Sequence, residues 1–226
     1  MWCLPQIDGT YLKRMEDVLE LYERAHNPQE PVVGLDEKPI CLHDEVRTPE
    51  AARPGGIVAK RDSEYKRQGR ANVFCAVEPR AGRHFTFPTP NRRGAQFAKL
   101  IAKVASRYPR ARTIHLVVDN LNIHCQKSLT AHFGLEKGVS LWNRFTVHYT
   151  PKHGSWLNQA ELEIGLFARQ CLGQRRFPTL SMLKSEAAAW NRQINRKRTL
   201  INWNFSRQDA RNVFHYQENL FMRSEN

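Results

Sequence analysis

Strand-like stretches recur along the first two thirds of the chain, between segments with a helical period. Runs rich in β-branched and aromatic residues and bounded by turn residues predict strands at 31–42, 71–79, 83–89, 113–120 and 145–151. The second and third runs are joined by "RAG" and predict a hairpin. The run at 113–120, "TIHLVVDN", is almost continuously apolar, which indicates a strand buried on both faces.

Helices are predicted between and after these strands. Apolar residues at helical spacing indicate helices at 10–26, 92–109, 124–134 and 179–197, and another helix follows the last strand. A basic segment with proline and glycine, residues 47–70, predicts a loop after the first strand. Three early strands followed by alternating helices and strands predict one mixed α/β domain.

The helix after the last strand carries a carboxylate where an apolar residue is expected. In "HYTPKHGSWLNQAELEIGLF" (148–167) and the residues after it, a period of 3.6 predicts an apolar face made of Leu157, Ala160, Ile164, Ala168 and Cys171. Glu161 falls within that face, whereas Glu163 points away from it. A buried carboxylate is unfavourable unless it is paired, protonated or bound to a metal. Glu161 is therefore the anomalous acid of this helix: either it is functional, or it lies at the edge of the face or pairs with an arginine.

Composition favours a soluble intracellular protein that contacts no membrane. The chain of 226 residues can bury a substantial core, and no segment approaches the roughly 18 apolar residues of a membrane span. The first residues lack the features of a secretory signal, so a cytoplasmic location is expected. The cysteines are odd in number and scattered, which indicates mostly buried free thiols rather than disulfides: Cys3, Cys41, Cys75, Cys125 and Cys171. The isolated His–Cys pairs are weak signals for zinc.

Charge points to a polyanionic partner. Lys and Arg number 35 against 22 acids, a formal net charge of +13 with a pI near 9.9. The excess recurs in clusters at 59–70, 91–94, 173–177 and 191–198, which favours nucleic acid, although a generally basic solvated surface is the alternative. The chain has no RRM-type aromatic signature, so contact with the backbone of a duplex is favoured. The candidate contacts in the first cluster are Arg61, Lys66, Arg67 and Arg70.

Three acids occupy positions where they could converge. Asp36 follows "VVGL" in the first strand, Asp119 ends the buried strand, and Glu161 lies on the helix after the last strand. Chemistry in α/β sheets gathers at strand ends, and clustered carboxylates need protons or a cation. Oxygen ligands suit Mg²⁺ or Mn²⁺, and two such ions form the usual clamp for displacement at phosphorus. Taken singly, Asp36 could instead pair with Lys38, and Asp119 could belong to an Asx turn.

The blocks "VVGLDEKP", "LVVDNLNIH" and "HYTPKHGSWLNQAE" resemble the signature blocks of DDE transposases of the mariner-type superfamily, in its bacterial insertion-sequence branch. The resemblance runs from about residue 2 to the end of the chain. It implies an RNase H-like fold, a mixed central sheet flanked by helices. It also implies that Asp36, Asp119 and Glu161 are catalytic and bind Mg²⁺ or Mn²⁺, with two ions expected. Residues near these acids are candidates for supporting or DNA-binding roles: Asn120, Asn122, Asn158, Lys152 and His153.

The same resemblance implies a reaction and a domain organisation. Metal-activated water would nick the ends of an insertion element, and the freed 3′-OH would attack target DNA. The active protein would be a homodimer located at the bacterial nucleoid. Full-length relatives carry an N-terminal helix-turn-helix region, so residues 1–30 are predicted to be a helical remnant of its linker and 31–226 the catalytic domain. Two other functions stay open: a non-enzymatic DNA-binding remnant or regulator, and another RNase H-like nuclease.

Overall fold

The computed structural model describes residues 7–56 and 58–217. Within them a five-stranded sheet has the order β3-β2-β1-β4-β5. Its strands are β1 (Val32–Glu45), β2 (Tyr65–Glu78), β3 (Arg83–Thr89), β4 (Ile114–Val118) and β5 (Phe145–Tyr149). The strands β1, β2 and β3 pair antiparallel, whereas β4 and β5 run parallel to β1. The mixed α/β sheet predicted from the sequence is confirmed.

Helices cover both faces of this sheet. They are α1 (Gly9–Glu23), α2 (Gly94–Arg107), α3 (Gln126–Phe133), α4 (Leu135–Trp142), α5 (Ala160–Phe167), α6 (Leu180–Lys197) and α7 (Arg207–Phe214). A π-helical turn, Ala168–Leu172, continues α5. The short helices α4 and α7 were not predicted, because each spans only 8 residues, fewer than the stretch over which a helical period can be recognised. No helix among the described residues is long and apolar enough to cross a membrane.

The alternation of side chains along β1 assigns each face its helices. Val33 and Leu35 belong to a core with α2 and α3 on one face. Gly34 lies against the start of α5 on the opposite face. The helices α5 and α6 cover that face and form a second core with it. The helix α1 packs beside them, over β4. Because side chains alternate with a period of two, Asp36 lies on the same face as Gly34. Asp36 therefore points to the face that carries α5.

The outer edge of β3 is covered by amide side chains instead of another strand. Asn195 accepts a hydrogen bond from the backbone N–H of His84 at 2.9 Å and donates to its carbonyl at 2.8 Å. Asn191 does the same for Thr86, at 3.1 Å and 2.8 Å. These residues lie four apart on α6, one helical turn, so the helix supplies hydrogen bonds that a neighbouring strand would otherwise make.

Two features differ from the prediction: the start of one strand and the burial of one thiol. The strand β2 begins at Tyr65, so Lys66, Arg67 and Arg70 lie on a strand and not in the predicted loop. They pair with the end of β1 in a two-stranded arm, where side chains remain exposed because no helix covers them. The expectation of buried thiols holds for Cys75 and Cys171 but is wrong for the exposed Cys41.

Candidate active site

Two neighbouring parallel strands carry Asp36 and Asp119 to the same position in the sheet. Gly34 of β1 is in register with Val117 of β4, and each acid follows two residues further along its own chain. Parallel strands lie roughly 5 Å apart, so the two carboxylates leave adjacent backbones in the same direction. The Asp36 carboxylate accepts the backbone N–H of Glu37 at 2.7 Å. Register alone therefore pairs these two acids.

Glu161 approaches this pair from the first turn of α5, on the exposed side of the helix. The buried residues of the helix are Ala160, Glu163 and Phe167. The predicted faces of Glu161 and Glu163 are therefore the reverse of those observed. The predicted phase began at Leu157, but that residue ends a separate 3₁₀ turn, and extended backbone at Asn158 breaks the helical period.

Asn158 fixes the start of α5 against β1. Its side chain is buried, donates to the Leu35 carbonyl at 2.8 Å and accepts the Ala160 backbone N–H at 3.1 Å. The amide thus joins the residue before Asp36 to the residue before Glu161. Gly34 permits this approach, since a Cβ there would lie 3.0 Å from Asn158 Oδ1. Asn158 is placed to position the acids, and its burial leaves no room for contact with phosphate.

Glu163 forms a buried ion pair that the sequence did not reveal. His84 Nδ1 lies 2.6 Å from Glu163 Oε2, and both side chains are fully buried between β3 and α5. His84 Nε2 lies 2.9 Å from the Thr199 carbonyl. Burial lowers the pKa of His84, but the hydrogen bond to Glu163 more than offsets this, so the pKa is raised. The pair holds α5 on the sheet.

His124 links Asp119 to a second carboxylate. Its Nδ1 lies 2.8 Å from Asp119 Oδ1 and its Nε2 lies 2.7 Å from Glu37 Oε1. The ring packs on Phe97, with 4.9 Å between ring centroids. Burial opposes the charged form of His124, but the hydrogen bonds with Asp119 and Glu37 raise its pKa to about 9. An imidazolium that donates from both nitrogens fixes the orientation of Asp119, whose own pKa it lowers.

The signal for His124 was present in the sequence as a histidine five residues after Asp119, within "DNLNIH". Such a spacing lets a short loop return the ring to the carboxylate. In the sequence, His124 belongs to one of the isolated His–Cys pairs, which are weak signals for zinc. Its partner Glu37 could not be predicted, because the two residues are 87 positions apart.

The other residues near the acids differ in what they contact. Asn120 donates to the Thr150 carbonyl at 2.7 Å and accepts from Arg14 at 2.6 Å, so it ties the ends of β4 and β5 to α1. Asn122, Lys152 and His153 are exposed. Among the described residues, none of these exposed side chains forms a hydrogen bond or ion pair with the three acids. They remain candidate DNA contacts.

Among the predicted basic contacts, Arg61 has a structural partner. Its guanidinium lies 2.6 Å from Glu45 Oε1 and also donates to the Gln174 carbonyl. Arg176 holds the same carboxylate at 2.5 Å. These contacts join Glu45, at the end of β1, to Arg61, shortly before β2, and so close the loop between the two strands. The other predicted contacts, on the exposed arm, remain available for DNA.

The negative charges of Asp36 and Glu161 lack the compensation that His124 gives to Asp119. Burial raises the pKa of Asp36 to about 7, the carboxylates of Glu37, Asp119 and Glu161 add to the rise, and the hydrogen bond from the Glu37 backbone opposes it. Neither Asp36 nor Glu161 pairs with a basic side chain in the described residues. A cation between them would remove this repulsion.

The donors suit Mg²⁺ or Mn²⁺, although the side chains are not gathered into a coordination sphere. Among the described residues, no three His, Cys, Asp or Glu side chains are close enough to hold a metal ion. Like-charged carboxylates separate when no cation lies between them. The three predicted ligands provide only hard oxygen atoms, which these ions prefer. The residues present therefore fit the implied metal.

Replacing Asp36 by asparagine is expected to raise the free energy of unfolding of the metal-free protein at pH 8, by roughly 2–4 kcal/mol. The folded pKa of about 7 lies above the ordinary 3.8, so ionisation disfavours the folded state. The gain should be complete above pH 7 and should vanish as the pH falls towards 4. Urea unfolding in EDTA across this range measures it, with exposed Glu136→Gln as the control. An equal difference at every pH would contradict the raised pKa.

Comparisons with known proteins identify the family and the fold of the chain. The family model for DDE superfamily endonucleases matches residues 31–184. The Mos1 mariner paired end complex with Mn has a TM-score of 0.54 and 13% identity, over 88% of this chain and 61% of that one. The Mos1 strand transfer complex gives a TM-score of 0.52 and 13% identity, over 88% and 62%. No curated protein matches the chain.

At such identity the structural likeness shows the fold, which is RNase H-like. The chain spans only about three fifths of the Mos1 proteins, at 61% and 62% of their length. The family match is broader evidence, because residues 31–184 are more than half of the 226 residues and contain all three predicted acids. This chain belongs to the DDE superfamily endonuclease family, with the catalytic-domain fold of mariner-type transposases.

Proposed function

We propose that this chain is a metal-dependent DNA endonuclease and strand transferase that cuts the ends of a bacterial insertion element and joins them to target DNA. The matched positions of Asp36 and Asp119 on adjacent parallel strands, with Glu161 opposite, carry this proposal. The Mos1 structures with Mn and Mg support the use of divalent ions. The basic surface supports DNA as partner.

The three acids would hold one or two Mg²⁺ or Mn²⁺ ions. When bound, such ions activate water as a nucleophile and neutralise charge on phosphoryl oxygens. Asp36 would lose the proton that its raised pKa favours. His124 keeps Asp119 oriented, and Asn158 holds the start of α5 beside Asp36. These contacts fix the orientation of Asp119 and the position of the start of α5 before DNA enters.

The reaction has two displacements at phosphorus. In the first, water forms a bond to phosphorus and the P–O bond to the 3′ oxygen breaks, which leaves a 3′-OH. In the second, this hydroxyl bonds to a phosphorus of the target and displaces the 3′ oxygen there. Because two element ends must be joined to one target, we expect a homodimer when the protein is active.

Nicking of a supercoiled plasmid by the whole chain tests the proposal. We expect nicked circles with Mg²⁺ or Mn²⁺ and none in EDTA, and joining when a DNA fragment ends in a free 3′-OH. DNA binding without nicking under any metal would instead support a non-enzymatic remnant. Preferential cleavage of an RNA–DNA hybrid would indicate another RNase H-like nuclease.

A further inference from the structure

A groove runs along the outer edge of the sheet, away from the three acids. Its walls are β3, the second half of α2 and the exposed side of α6, and they enclose a cavity of about 580 Å³. The amides of Asn191 and Asn195 already occupy the β3 backbone groups that face it. Strand addition from another chain is therefore blocked, and the groove must be judged by its side chains.

Those side chains are strongly cationic. Five basic residues line the groove, and none of the described lining residues is acidic: Arg83, Lys103, Arg107, Arg192 and Arg198. All five are exposed. In the described residues only Arg83 pairs with a carboxylate, Glu78 at 3.6 Å, and the other four form no ion pair. Unpaired cations facing one cavity are typical of a surface that binds a polyanion.

The fold holds these charges together against their repulsion. Partial burial lowers the pKa of Lys103 and the nearby Arg107 lowers it further. The Lys103 ammonium lies over the Phe87 ring, 4.6 Å from its centroid. Arg198 ends α6 in a left-handed conformation beside Gly82, where a Cβ would lie 2.6 Å from the Arg198 carbonyl carbon. The close packing of a glycine on that backbone keeps Arg198 at the groove.

The groove lies at the edge of the sheet, two strands away from the strand that carries Asp36. Asp36 is paired with Cys75 on β2, and Cys75 with Thr86 on β3, so the three residues lie in one row across the sheet. Two strand spacings separate Asp36 from Thr86 in the groove, roughly 10 Å. The groove residues Phe85 and Phe87 pack with the core on the α2 face, whereas Asp36 points to the α5 face, so the groove is a surface separate from the acids.

We propose that the groove binds the phosphate backbone of duplex DNA as a second contact, separate from the three acids. The choice of DNA as the polyanion rests on the proposed function. The groove also explains part of the basic cluster at 191–198, which the acid site does not use.

Salt-dependent binding tests this proposal. A fluorescent duplex is titrated with the whole protein in EDTA between about 50 and 200 mM salt, for the parent and for Lys103→Gln/Arg107→Gln/Arg192→Gln. The slope of log K against log salt is negative, and each lost phosphate contact reduces its magnitude by about 0.9. With three charges removed, the magnitude should therefore fall by about 2 to 3. The control, Arg110→Gln/Lys137→Gln/Lys184→Gln, removes three exposed charges that form no ion pair in the described residues and lie outside the groove.

Equal slopes for the groove and control variants would overturn the proposal. So would a groove variant that binds single-stranded RNA more weakly than the parent but binds the duplex equally well. Circular dichroism verifies that both variants are folded. The assay needs no catalysis, so its result is independent of nicking. If the slope changes as expected in a protein that nicks no plasmid, the groove binds DNA but the proposed function is wrong.

Discussion

Asp119→Asn should abolish metal-dependent nicking while leaving the fold and DNA binding in EDTA intact. The asparagine keeps the shape and the acceptor for the Leu121 N–H but removes the negative charge that a divalent ion needs. Metal-ion stabilisation of a transition state is worth several kcal/mol, so we expect a loss of about a thousand-fold or more. Initial rates of plasmid nicking in Mg²⁺ and in Mn²⁺ measure it.

Glu136→Gln provides the control for this prediction. Glu136 is an exposed acid in the first turn of α4, so the variant removes one negative charge outside the proposed triad. Its nicking rate should match that of the parent within about two-fold. A folded Asp119→Asn protein that nicks at the parental rate would remove Asp119 from the mechanism.

His84→Ala should have the largest effect on stability. It leaves Glu163 fully buried with no basic partner, and Glu163 Oε1 already has no hydrogen-bond partner among the described residues. Breaking a buried pair by removing one member typically lowers the free energy of unfolding by about 3–5 kcal/mol. Urea unfolding at neutral pH provides the measurement, and exposed His132→Ala should change little.

A double variant separates the loss of the ion pair from the loss of packing. In His84→Leu/Glu163→Leu both charges are replaced by apolar side chains, which often restores or increases stability. We expect this protein to be more stable than His84→Ala. If His84→Ala lowers the free energy of unfolding by less than about 1 kcal/mol, the pair does not hold α5 as described.

The sheet could be predicted because its strands are encoded locally. Each strand is a short apolar run bounded by turn residues, and the parallel pairing of β1 with β4 aligns Asp36 with Asp119. The family resemblance identified the same acids. Their roles in catalysis and the division at residue 30 stay predictions. In the structure, α1 packs on the same body, and Tyr22 donates to the Leu157 carbonyl at 2.8 Å.

The contacts that shape the site could not be predicted, because they are long-range. Glu163 and His84 are 79 residues apart, and Asn158 and Leu35 are 123 apart. Periodicity also assumes an unbroken helix, and the break at Asn158 gave Glu161 and Glu163 the wrong faces. Glu161 is therefore an exposed acid supported by a buried one, an arrangement that leaves it accessible to a cation and DNA.

The convergence of three acids on one metal site is tested most directly by calorimetric titration of Mn²⁺ and Mg²⁺ in the presence of a short duplex. The parent should bind, Asp36→Asn, Asp119→Asn and Glu161→Gln should each bind more weakly, and Glu136→Gln should match the parent. Binding of equal strength in all five proteins, or no binding by a folded parent, would contradict a shared metal site.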